Sequence, residues 1–120
     1  MSSGPLPPSS GGAEASNVVV PEPARSVSRH RWTRVQPASG GSELLVYGTL
    51  SGGPPCSVLA RVDVVEAEDH VAVTLWTGRR PDADCDGPQP ALAYPFVTRV
   101  RLKAPLGDRR VVDGASPDPA

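Results

Sequence analysis

The sequence predicts an all-β domain, either an antiparallel β-sandwich or a strongly curled sheet of five or six strands, with one disulfide. Three observations predict it. Apolar residues alternate with polar ones in several short runs, and no segment sustains a 3.6-residue period. Glycine and proline clusters punctuate those runs. Two cysteines, Cys56 and Cys85, bracket the strongest pair of runs.

Residues 1–28 are expected to be a spacer. Prolines, glycines and serines crowd this stretch, and it cannot bury enough apolar surface to offset chain entropy. Val18-Val19-Val20 runs into Pro21 and Pro23, which stop it continuing as a central strand. The domain proper is expected over 29–114. The segment Arg25–Arg34 carries four arginines, His30 and Trp32. It could touch phosphate with Trp32 stacked on a base. A first strand with a solvated arginine face and Trp32 against the core accounts for it better, because the chain as a whole has a net charge of only −1.

Pro37–Gly41 reads as a turn, and Glu43–Leu50 as a strand apolar on both faces, hence central or covered on both sides. Ser51–Pro55 is a loop. From Val58 to Val64, Val58, Ala60, Val62 and Val64 share one face. Beyond a charged turn (Glu66 to His70), Val71, Val73 and Leu75 share another. The two runs form a hairpin, with Glu66 and Glu68 keeping its tip soluble.

Twenty-eight residues lie between Cys56 and Cys85. A hairpin brings its outer ends together, so a bridge between them is favoured over two free thiols. It would close a loop worth about 3–4 kcal/mol of chain entropy. Phe96–Lys103 alternates most cleanly. Phe96, Thr98, Val100 and Leu102 fall on one face; Arg99, Arg101 and Lys103 form a basic stripe on the other. Pro105–Asp108 turns the chain into a short last strand, Arg109–Asp113, and 115–120 is expected to fray.

Chemistry-bearing patterns are few. Asp82, Asp84 and Asp86 followed by Gly87 match the first half of a calcium loop, in which alternate carboxylates converge on a hard cation. The second half fails, because Ala93 stands where a bidentate Glu is needed and Pro88 and Pro90 stiffen the region. Solvated turn formers are the better reading, and no cofactor is expected. No nucleophile elbow and no phosphate-binding glycine loop occurs. The basic stripe Arg99, Arg101, Lys103 could meet an acidic partner, but an exposed face whose charges resist aggregation is favoured.

No transmembrane run and no apolar leader follow Met1. A disulfide without an export signal is reconciled by a start upstream of Met1 or by a trimmed anchor. The alternative is a cytosolic interaction protein with free thiols.

Taken together, Cys56, Val62-Asp63-Val64-Val65-Glu66, Val71–Leu75, Cys85, Tyr94 and the terminal Pro105-Leu106-Gly107-Asp108-Arg109-Arg110-Val111-Val112-Asp113 resemble small secreted or lipid-anchored actinobacterial proteins of unknown function. The resemblance covers about residues 42–114. It implies an extracytoplasmic domain with a Cys56–Cys85 bridge, and it implies no activity. The reading that results is a non-catalytic interaction or binding module at the cell envelope, with no nucleic-acid partner. The competing class is a calcium-dependent or enzymatic domain using Asp82–Asp86.

Overall fold

The computed structural model describes residues 17–87 and 92–115, so most of the expected spacer, the tail from 116, and Pro88 and Pro90 lie outside the described residues. What is described is an all-β sandwich. One sheet holds β1 (Asn17–Val18), β7 (Ala93–Arg101), β4 (Glu43–Ser51) and β3 (Arg34–Ala38), in that order. The other runs from β5 (Val58–Glu66) to β6 (His70–Arg79). Beyond β6, two short strands share one position: β2 (Arg25–His30) beside residues 75–79 and β8 (Arg110–Asp113) beside residues 70–73.

Alternation builds the core as expected. Leu44, Val46, Leu50, Phe96 and Val100 come from the first sheet. They meet Leu59, Val71, Val73 and Leu75 from the second. Burial of each such side chain contributes about 1.5–3 kcal/mol. β4 is central, paired along its length with β7 and flanked by β3. Gly48 faces Phe96 in register, and a Cβ there would lie 2.7 Å from the ring, so glycine makes room for the largest buried side chain.

Among the described residues, eight strands replace the five or six expected. Pro37 does not prevent β3, because β3 is an edge strand whose missing N–H faces away from the ladder. Structure also begins earlier than residue 29: β1 pairs with β7, and β2 pairs with β6 from Arg25. Two pairings, β1 with β7 and β6 with β8, are parallel; the others are antiparallel.

The predicted hairpin face needs a second correction. Leu59 opposes Thr77 and Arg61 opposes Trp76, so Ala60 is an inserted residue. Such a bulge reverses the in/out phase. Leu59, not Ala60, therefore enters the core, and Val62 and Val64 resume the inner face beyond it. The chain crosses between sheets at Trp32, which packs against the core and donates its indole N–H to the Val73 carbonyl at 3.0 Å. Its backbone N–H reaches the Asp113 carboxylate, also at 3.0 Å. Arg25–Arg34 is thus structural at Trp32, as the strand reading expects.

Candidate functional site

Cys56 and Cys85 are bonded, with Cα atoms 5.7 Å apart, and there is no free cysteine among the described residues. The bridge joins the loop entering β5 to the loop leaving β6. Arg80 supports the same end, donating its backbone N–H to the Pro55 carbonyl and its guanidinium to Glu22 at 2.7 Å.

Asp82, Asp84 and Asp86 lie exposed in the loop beyond β6. The Asp84 carboxylate accepts the Asp86 backbone N–H at 3.2 Å, the geometry of an Asx turn. Among the described residues no cluster of three or more metal-ligating side chains forms. His30 and His70 each have local partners, the Thr49 carbonyl and the Asp69 carboxylate, both at 2.7 Å.

The basic stripe is shorter than the sequence suggests. β7 ends at Arg101, so Lys103 lies beyond the strand. Arg99 and Arg101 do share the outer face, and both reach one carboxylate, Glu43, at 3.2 and 3.9 Å. Two cations against one anion leave the patch positive, and the arginine side chains are 67% and 85% exposed. The same stretch of β7 borders a depression of about 240 Å³ between the two sheets, lined by Pro21, Val62, Val64, Val100 and both arginines.

A second row runs across the outer face of the other sheet, where Arg29, Trp76 and Arg61 stand side by side on β2, β6 and β5. The guanidinium groups lie 5.8 and 4.5 Å from the indole centre, within cation–π range. Asp63 holds both the indole N–H and Arg61, while Arg29 lies against the other side of the row by its contact with the ring.

Sequence reasoning missed one partly buried polar knot. Glu66 was expected to solubilise the hairpin tip, but it is the last residue of β5 and accepts the backbone N–H groups of Lys103 (2.7 Å) and Ala104 (3.4 Å). Arg109 approaches it at 3.3 Å and also donates to the carbonyls of Ala67, Ala104, Pro105 and Leu106. The Lys103 N–H, opposed by desolvation and aided by Ala104 and Arg109, holds the Glu66 carboxyl below its ordinary value. The terminal Pro-Leu-Gly-Asp-Arg element is therefore a clamp. Its arginine stitches the loop carbonyls to the end of β5, and Gly114 then packs against Thr74, where a Cβ would collide with the hydroxyl. The one available signal was an arginine directly following a Gly-Asp turn.

No helix among the described residues is long and apolar enough to cross a membrane. The chain matches no protein-family model, no curated protein and no solved structure.

Proposed function

We propose that the chain is a non-catalytic binding module that works outside the cytoplasm, at the cell envelope. The Cys56–Cys85 bond carries this reading. Disulfides persist where thioredoxin and glutathione do not reduce them, and small domains with modest cores gain most from them. The resemblance to small secreted or lipid-anchored actinobacterial proteins points the same way. The chemistry on offer suits contact rather than turnover: two outer sheet faces carry arginines beside aromatic and aliphatic side chains.

Fractionation of cells producing the protein, with a bulky maleimide added before any reductant, tests the reading. The expected result is protein in the extracytoplasmic fraction carrying no adduct. Protein confined to the cytosol and carrying two adducts would overturn it.

A further inference from the structure

The first sheet is incomplete at one edge. β1 pairs with β7 only at Phe96 and Val97, and Val19 adds one more bond, N–H to the Val97 carbonyl at 3.0 Å. The chain then leaves β7 at Pro21, and the Glu22 N–H bonds the Leu59 carbonyl on the other sheet. Backbone groups of a strand point alternately to its two sides. Val97 accepts from the β1 side, so Arg99 and Arg101 direct their N–H and C=O groups to that side too. Lys103 conforms, giving its N–H to Glu66 at 2.7 Å. Between these two anchors no strand among the described residues lies beside Arg99–Arg101.

The surroundings of that edge say what would fit it. Toward the interior, Val62, Val64 and Val100 wall the 240 Å³ depression. Toward solvent stand Arg99 and Arg101, which share Glu43. Side chains of an added strand would alternate between these two environments.

We propose that the edge of β7 at Arg99–Arg101 captures an extended polypeptide segment in which apolar residues alternate with acidic ones. Its backbone would continue the line of β1, its apolar side chains would enter the depression between the sheets, and its carboxylates would pair with Arg99 and Arg101. This is strand addition, in which main-chain hydrogen bonds give affinity and alternate side chains give selectivity. It rests on the binding-module reading and names the partner's chemistry. It is tested on purified protein, so its failure would leave the compartment reading standing.

The probe is a capped pentapeptide, Val-Asp-Val-Asp-Val, titrated into the oxidised full-length chain and followed by amide hydrogen exchange and NMR shifts. The Arg99 and Arg101 amides should exchange at least tenfold more slowly at saturation. Replacing the probe's aspartates with lysine should weaken binding by tenfold or more. So should the double variant R99S/R101S, with its melting temperature unchanged; Arg101→Gln alone serves if the double variant melts early. Absent binding, protection at another edge, or affinity indifferent to the arginines would overturn the proposal. An acidic polysaccharide that binds through the arginines, where the peptide leaves these amides unprotected, would overturn it in favour of an anionic-polymer surface.

Discussion

Glu66 shows how one side chain can be misjudged from its neighbours. Beside Ala67, Glu68 and Asp69 it reads as part of a charged tip, yet its partners, Lys103, Ala104 and Arg109, are about forty residues away. Nothing local in the sequence encodes that contact. Because its carboxyl is held below the ordinary 4.5, the folded chain binds fewer protons than the unfolded one near that pH. Its stabilisation is therefore complete above pH 4.5 and is lost as pH falls through the lower folded value. Melting curves should show wild type ahead of Glu66→Gln at pH 7, with the gap narrowing as pH falls below 4.5. A gap independent of pH would contradict this. Gly48 makes the opposite case, since its place in an apolar strand invites an alanine. Gly48→Ala should cost about 1–3 kcal/mol by overpacking Phe96. Phe96→Leu should be less damaging in that background than in wild type, as a double-mutant cycle in urea would show.

The strands with long apolar or alternating runs were legible. β4, β6 and β7 lie where Glu43–Leu50, Val71–Leu75 and Phe96–Lys103 predict, except that β7 stops at Arg101. Their period of two survives because each packs one face on the core without interruption. β5 was legible in extent but not in phase, because the extra residue at Ala60 shows only in its pairing with β6. β1 and β3 escaped notice because Pro21 and Pro23 follow the first closely and Pro37 lies within the second, which argues against strands except at an edge. Deleting Ala60 would remove the inserted residue and leave Leu59 opposite Thr77 and Arg61 opposite Trp76, so Leu59, Val62 and Val64 would all keep the inner face. The deletion variant should therefore hold its urea midpoint, whereas moving one such side chain out of the core would cost about 1.5–3 kcal/mol and lower it at an unchanged slope. A loss of that size on deleting Ala60 would show that Ala60 is not the residue that sets the phase.

For the whole molecule, the sequence conveys a staple and a layer architecture, but not which strands share a sheet. The hairpin β5–β6 sits in one sheet while β4 and β7, which flank it in the chain, pair with each other in the second. The partition depends on long-range contacts: Trp32 reaching Val73, Leu102 reaching Ser42, and Arg109 reaching Glu66. The basic stripe was visible as three residues, whereas the open β7 edge beside two of them depends on where β1 stops. The disulfide restrains the unfolded chain between Cys56 and Cys85 and holds the free ends of the β5–β6 ribbon together. The most direct measurement of that role is the melting temperature of the oxidised protein against the reduced and alkylated one at the same pH. A loss of about 3–4 kcal/mol, or at least about 10 °C in a domain of this size, is predicted. Superimposable melting curves would contradict the claim that this bond holds the sandwich.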